Sequence, residues 1–497
     1  MVHEVAGSVR CGSEGGVTVM AEGRAARRSG ARAGDAEQLS RADRVARGKD
    51  ARAVASLGSH AEFVPDGSRD PVGLLLGQAK SRVPELVPIR HGRMLVSPFT
   101  FYRGAALPMA ADLAGTPASG LRVQLCGDAH LSNFGAFGSP ERRLVFDVND
   151  FDETLPGPFE WDVKRLAASL SVAGRDNGFP AKDRRKMVLA AAEGYRSAMR
   201  EFAQQSLLGV WYAHLDIEQV FGQFRSQVTA KRFKAGQAML AKAHTRDSLQ
   251  ALDKLTTVVD GRRRIIADPP MIVPIEEVFA DVQADALYKQ LRAVLGKYHR
   301  SLQSDRRHLL GQFAMMQVAR KVVGVGSVGT RAWIVLMEAG DGIEPLFLQA
   351  KEAQPSVLAE YCGRSQYKNE GERVVAGQHL MQAQSDIFLG WTHATGADGI
   401  ERDFYVRQLR DWKFSLPIEQ MVPAGLIAYA RICGWTLARA HARSGDRVAL
   451  AAYLGGSTKF DQAIAEFAET YADQNERDYA AFEAAVKDGK AQTTTEI

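Results

Sequence analysis

The sequence predicts a two-lobed α+β fold with extra helices, and three observations carry that expectation. Residues 315–351 read MMQVARKVVGVGSVGTRAWIVLMEAGDGIEPLFLQAK, in which short apolar runs alternate with Gly/Asp turns, the pattern of β-hairpins. Long stretches with apolar residues at helical spacing lie on either side, at residues 182–255, 424–441 and 459–487. After one further strand-like run and enclosing another, residues 126–153 read CGDAHLSNFGAFGSPERRLVFDVNDFDE, a cluster of acids among small and apolar residues.

These features divide the 497 residues into five parts. Residues 1–60 are rich in Ala, Arg, Gly and Ser and are expected to form a disordered basic leader, with a frayed amphipathic helix the alternative for residues 36–54. Residues 61–175 carry the acidic cluster in the larger lobe, 176–309 are mostly helical, 310–415 form a small β-rich lobe, and 416–497 return to the larger lobe as helices. In the first of these folded parts, residues 121–125 and 142–147 read as strands and 161–174 as a helix. In the small lobe a strand at 322–323 enters a Gly-rich turn. Strands follow at 332–337 and 346–350, then a helix at 370–384 and a hairpin at 387–391 and 403–409.

Bulk composition narrows the function class. A net charge of +5, much of it from the first 55 residues, leaves no basic stripe with interleaved aromatics, so specific nucleic-acid binding is not expected. Cys11, Cys126, Cys362 and Cys433 are far apart and show no metal spacing, which suits free thiols in a reducing cytoplasm. No run approaches the roughly 18 apolar residues of a membrane span, and residues 17–20 are too short for a secretory apolar region.

The chemistry concentrates in the acidic cluster, which holds Asp128, His130, Asn133, Asp147, Asn149, Asp150 and Asp152. Oxygen ligands grouped in this way suit Mg²⁺, which in enzymes usually arrives with a phosphate. Asp128 and Asn133 are five residues apart, the spacing by which a kinase catalytic loop places an acceptor-orienting Asp and a metal-binding Asn. The second metal ligand is Asp147 or Asp150: counting forward from Asn133 favours the first, counting back from Asp162 the second. His130 suits a structural hydrogen bond better than a metal. Asp162 opens a helix, either as a cap or as a brace for the loop. His91, Arg93 and Arg103 precede the cluster and are as well explained by solvent as by an acceptor or phosphate.

Gly324, Gly326 and Gly329, with Ser327 and Thr330, lie between two strands, where backbone N–H groups can approach a phosphate. The segment is not a Walker A motif and, being followed by a strand, not a Rossmann fingerprint. It matches the phosphate lid of a kinase. Lys351 ends the third strand in an apolar context, where kinases place the lysine that holds the α/β-phosphates. Its carboxylate partner is Glu370 or Glu372 on the next helix, with Glu372 preferred. Glu352, on the opposite face of the strand, is disfavoured.

GDAHLSNF, VFDVNDFDE and WDVKRLA together resemble the phosphotransferase arrangement of aminoglycoside and choline/homoserine kinases, HGDxHxxN, IDFxD and YDLA, with Cys126 standing where those families usually have His. Over about residues 85–485 the chain also resembles the bacterial domain-of-unknown-function family 2252. HGRMLVSPFTFYRG, CGDAHLSNFG, FDVNDFDETLPGPFEWDVKRLAASL, GVGSVGTR, RQLRDWK and LARAHARSGD carry that likeness. The kinase resemblance implies a protein-kinase-like fold. Because the Gly-rich turn and Lys351 follow Asp128 by about 200 residues, the fold would be circularly permuted, with the helix at 424–441 preceding the catalytic loop in space.

The expected function is ATP- and Mg²⁺-dependent phosphoryl transfer to a hydroxyl on a small-molecule or protein acceptor. Asp128 would be catalytic, Gly324 to Thr330 and Lys351 would hold ATP, and Asn133 with Asp147 or Asp150 would hold the metal. The rival readings are a metal-dependent phosphoesterase, a nucleotide-binding pseudokinase without turnover, and an AMP-transferase.

Overall fold

The computed structural model describes residues 39–218 and 248–494, except 261, 323, 341–343, 397, 410–411 and 414, with isolated positions between 219 and 247. The basic leader up to residue 38 lies outside the described residues. The fold is that of the unit Arg41–Ile497, a mixed α+β structure with several sheets.

Its first helix, Arg41–Val54, lies inside the stretch expected to be disordered. The sequence there has little apolar content, and the order comes from docking on the Arg447–Leu454 helix. Arg44 pairs with Asp446 at 2.7 Å, Arg52 Nε donates to the Tyr453 carbonyl at 2.7 Å, and Gly48 lets the two backbones touch.

The largest sheet is antiparallel and has six strands, β8 (Ile272–Pro274), β9 (Phe313–Lys321), β10 (Ala332–Ala339), β11 (Pro345–Ala353), β12 (Gly390–Thr395) and β13 (Glu401–Gln408), in the order β12-β13-β11-β10-β9-β8. Before it in the chain, β6 (Thr256–Val259) and β7 (Arg262–Ile265) form a separate antiparallel pair. Strand β8 belongs to the region read as mostly helical, and it pairs at the sheet edge with the end of β9. Side chains alternate along the strands, so Leu336 and Phe347 face Leu255 and Ile265, whereas Met337, Leu346 and Leu348 face Tyr298 and Leu302. Both faces of β11 are therefore covered, which is why PLFLQAKEA is nearly continuous in apolar residues. Beyond β11 and a single helical turn at Ala359–Cys362 comes the Glu370–Met381 helix, whose Gly371 lies so close to the Phe404 carbonyl that a side chain would overlap it.

The other body is helical. Helices Phe159–Asp176, Ala181–Phe202, Pro423–Ser444 and Lys459–Lys487 enclose the principal apolar core, which includes Leu166, Met199, Leu437 and Phe467. Each fully buried side chain of this kind contributes about 1.5–3 kcal/mol. The Ala181–Phe202 and Pro423–Ser444 helices approach through reciprocal glycines: a Cβ on Gly194 would lie 2.6 Å from the Arg431 carbonyl oxygen, and one on Gly434 would overlap that of Ala191. Two small antiparallel sheets sit on this body. One pairs β1 (Arg122–Leu125) with β4 (Leu155–Pro158). The other has β3 (Leu144–Val148) between β2 (Phe134–Gly138) and β5 (Leu215–Asp216). Their ends carry the acidic cluster.

Candidate functional site

Two cavities of about 200 and 290 Å³ lie between the large sheet and the helical body, and both are lined by Asp150, Gly324 and Ser327. The first also holds Asp128, His130, Asn133, Asp152, Gly326 and Thr330. The second holds Lys351, Arg407 and Lys413.

The loop that carries Asp128 is set from behind by the Phe159–Asp176 helix. Asp162, in its first turn, accepts the Cys126 and Gly127 N–H groups at 2.8 and 3.0 Å, so it braces the loop. The same carboxylate faces His441 Nε2 at 3.2 Å, and His441 Nδ1 faces the Tyr195 hydroxyl at 2.9 Å. Gly127 has φ +84°, and a Cβ there would overlap the Glu153 carbonyl, so the turn requires glycine twice over. One helical step beyond Asp162, on the same face, Arg165 reaches Asp128 Oδ1 with Nε at 2.8 Å and Nη2 at 2.7 Å. Burial pushes the Asp128 carboxyl above the usual range, and Arg165 offsets part of that shift. His130, whose Nε2 is 3.7 Å from Asp128, is held well below its ordinary pKa by burial and by Arg103 and Arg165, so the ring is neutral. Asn133 Nδ2 donates to the Asp128 carbonyl at 2.9 Å, and its own carbonyl accepts from Asn149 N–H at 2.8 Å, which ties the loop to the end of β3.

The two alternatives for the second metal ligand separate here. Asp147 is buried within β3, pairs with Arg439 at 2.6 Å, accepts the Ala383 N–H at 2.9 Å, and lines neither cavity. Asp150, beyond the strand end, lines both. Burial and the neighbouring Asp152 push its pKa up.

Lys351 Nζ lies 2.8 Å from Asp152 Oδ2. Asp152 also accepts the Tyr405 hydroxyl at 2.5 Å and the Ser327 hydroxyl at 3.3 Å. Burial alone would raise the Asp152 pKa and lower that of Lys351; their mutual attraction, with Asp150 acting on the lysine, outweighs it, so both are charged. The lysine thus pairs with the acidic loop and not with Glu372. Glu372 sits in the first turn of its helix, where its N–H is capped by Asn369 at 2.9 Å, and it lines neither cavity. Glu370 pairs with Arg373 of its own helix. Arg373 is what this helix sends toward the site: its Nη atoms donate to the carbonyls of Thr154, Asp152 and Gln354 at 2.8–2.9 Å and hold the acidic loop from the sheet side.

The glycine-rich turn is fastened by main-chain contacts. Arg93 Nη1 donates to the Gly324 carbonyl at 2.7 Å, Arg82 Nη1 to that of Val328, and Val83 N–H to that of Gly329 at 2.8 Å. Gly324, Gly326, Ser327 and Thr330 line a cavity, whereas Gly329 (φ +88°) packs on the Arg82 side chain. Of the three earlier basic residues, Arg103 lines the first cavity, Arg93 holds the turn, and His91 is buried against the Gln492 carbonyl at 2.7 Å.

Sequence reading placed no role on Arg165, Arg373, Tyr405 or Arg407. Their signal was weak, a charged or phenolic side chain beside a short apolar run, such as Arg373 before VVAG. Lys413, with Arg407 beside it and burial acting in the same direction, is held down at about 7. Among the described residues no three His, Cys, Asp or Glu side chains converge as a metal cage. An Mg²⁺ bound through one or two protein oxygens and substrate phosphates needs none; Asn133 and Asp150, which line one cavity, would be the residues to hold it.

No curated protein and no solved structure matches the chain. The sequence model of the family described as "Uncharacterized protein conserved in bacteria (DUF2252)" matches residues 82–485, which span the Asp128 loop, the glycine-rich turn and Lys351, and the chain belongs to that family.

Proposed function

We propose that this protein is an ATP- and Mg²⁺-dependent phosphotransferase that acts on a hydroxyl-bearing acceptor. The observation that carries the reading is the meeting of Lys351, Ser327 of the glycine-rich turn and Asp152 of the acidic loop at one point between the two cavities, although Lys351 and Asp152 are 199 residues apart. Glycine-rich turn, lysine strand and helix follow one another along β9, β10, β11 and the Glu370–Met381 helix in the order a protein kinase uses. A permuted connection is supported where the Pro423–Ser444 helix ends: Ser444 Oγ accepts the Gln124 N–H at 3.2 Å, beside the strand that leads into the Asp128 loop.

In this reading the cavity with Lys351, Arg407 and Lys413 takes ATP, since basic side chains suit a polyphosphate, whose charge would draw Lys413 back to its protonated form. Asn133 and Asp150 would hold Mg²⁺, which supplies neutralisation of the phosphate charge. Asp128 faces the other cavity, where it would orient the acceptor hydroxyl and take its proton. The acceptor oxygen then bonds to the γ-phosphorus as the bond from that phosphorus to the β–γ bridging oxygen breaks, and ADP leaves. A raised pKa makes Asp128 a better proton acceptor than an ordinary carboxylate, while Arg165 limits the rise and aims the carboxylate.

The test is thermal unfolding of the wild type and Lys351→Ala with ATP, with and without Mg²⁺. A ligand of the folded state at 100 times its Kd adds about 2.7 kcal/mol. The reading expects an Mg²⁺-dependent rise in Tm that Lys351→Ala abolishes and Asp128→Asn retains. No rise in the wild type overturns it.

A further inference from the structure

The cavity that holds Asp128 is walled by three arginines from separate parts of the chain. Arg82 follows the Pro71–Ala79 helix, Arg90 is in Val87–Met94, and Arg103 is in Pro98–Gly104. Arg90 is 1% exposed and Arg82 7%. Their hydrogen bonds go to neutral oxygens: Arg90 Nη2 donates to Gln78 Oε1 at 3.0 Å and to the Gly104 carbonyl at 2.8 Å, and Arg82 Nη1 to the Val328 carbonyl. Nε and Nη1 of Arg90, Nε of Arg82 and Nε of Arg103 are buried without a partner. Of the five carboxylates of the same cavity, Asp128 pairs with Arg165, Asp152 with Lys351 and Glu352 with Arg331, while Glu153 accepts the Val357 N–H at 2.7 Å and Asp150 the Asp152 N–H at 3.3 Å.

A buried guanidinium without a counter-charge is costly, and an orphaned buried donor calls for an explanation. Burial and the charge of Arg82 both depress the pKa of Arg90, whereas Arg82 feels Glu153, Glu352 and Asp152, and Arg103 feels Asp128 and Glu419, so Arg90 is the member of the cluster that most needs an anion. Three planar forks around one cavity match the oxygens of a phosphate, which carries more charge than a carboxylate and accepts bidentate pairs.

We propose that Arg82, Arg90 and Arg103 form an anion subsite, and that the acceptor is a phosphate monoester whose phosphate sits among them while its hydroxyl meets Asp128. The acceptor assignment rests on the phosphotransferase reading; the anion subsite does not. The acceptor's own phosphate is a handle and is unchanged by the reaction.

The test uses the full chain without nucleotide or Mg²⁺. Inorganic phosphate, glycerol 3-phosphate and acetate are titrated at constant ionic strength, with calorimetric binding and Tm as readouts. Wild type and Lys351→Ala should bind phosphate alike, Arg90→Gln and Arg103→Gln at least tenfold more weakly. Acetate should bind less well than phosphate, and glycerol 3-phosphate better. Where Arg90→Gln does not fold, the less buried Arg103→Gln decides. No phosphate binding in the wild type, unchanged binding in Arg103→Gln, or binding lost in Lys351→Ala alone overturns the subsite. Acetate binding as well as phosphate overturns the phosphate assignment, and free phosphate binding more tightly than the ester overturns the acceptor class. Phosphate binding at the arginines in a protein that shows no response to ATP keeps the subsite and removes the phosphotransferase reading.

Discussion

Asp147→Asn and Asp150→Asn are isosteric changes three residues apart, and they should have opposite consequences. Asp147 is 1% exposed, as is its partner Arg439, and their 2.6 Å contact has no solvent around it. Neutralising one member of a buried pair leaves the other charge uncompensated, at about 3–5 kcal/mol. Asparagine can still accept from Arg439, but its NH2 then faces the Ala383 N–H, so at least the lower end, about 3 kcal/mol, applies. For a cooperative unit of roughly 450 residues, an unfolding entropy of about 2 cal/mol/K per residue converts this to a fall in Tm of about 3 °C. The Mg²⁺-dependent response to ATP should survive. Asp150 differs, because burial and Asp152 raise its folded pKa. A carboxyl with a raised folded pKa contributes its stability below the unfolded value and loses it as pH rises through the folded one, so at neutral pH the ionised group is a net cost. Asp150→Asn should therefore be at least as stable as the wild type at pH 7, while its Mg²⁺-dependent ATP shift disappears. Thermal unfolding of the three proteins with ATP, with and without Mg²⁺, reads both effects. The reasoning is refuted if Asp147→Asn unfolds at the wild-type temperature, or if Asp150→Asn keeps the full Mg²⁺-dependent shift.

Three further outcomes follow from the loop geometry. Glu153 is pushed up to about 7 by burial, with Val357 N–H on its carboxylate at 2.7 Å limiting the rise. Its contribution is complete below the usual glutamate range and lost as pH rises through about 7, so Glu153→Gln should flatten a loss on the order of 2–3 kcal/mol in urea unfolding between pH 5 and 8. Gly127→Ala places a side chain at φ +84° against the Glu153 carbonyl, and a loss of at least about 2 kcal/mol should appear in the same assay. Asp162→Ala orphans the Cys126 and Gly127 N–H groups, at about 1–3 kcal/mol each. Hydrogen exchange at those two amides should accelerate in step, and unchanged protection would show that Asp162 does not hold the loop.

Local chemistry was legible in the sequence wherever the physical cause was itself local. The spacing of Asp128 and Asn133 placed both on one loop, and the Asn133 amide does reach the Asp128 carbonyl. Turn residues marked the hairpin between β10 and β11, and the apolar stretch read around Lys351 is buried almost throughout. The glycine-rich segment reported a turn, in which Gly324 takes φ +68°.

Pairing across the chain was decided only by the tertiary structure. Asp147 and Asp150 are equivalent by spacing; Arg439, 292 residues from Asp147, makes the first a buried ion pair and leaves the second at the cavities. Glu372 looked like the partner of Lys351 because it opens the next helix, but Asp152 reaches the lysine from 199 residues away. The Arg41–Val54 helix, polar enough to read as leader, is ordered by carbonyls and a carboxylate some 400 positions later. Periodicity and spacing report the backbone's local geometry, whereas the partner of a buried charge depends on which distant segments share a dry volume, and that is fixed only when the helical body and the sheet close on each other.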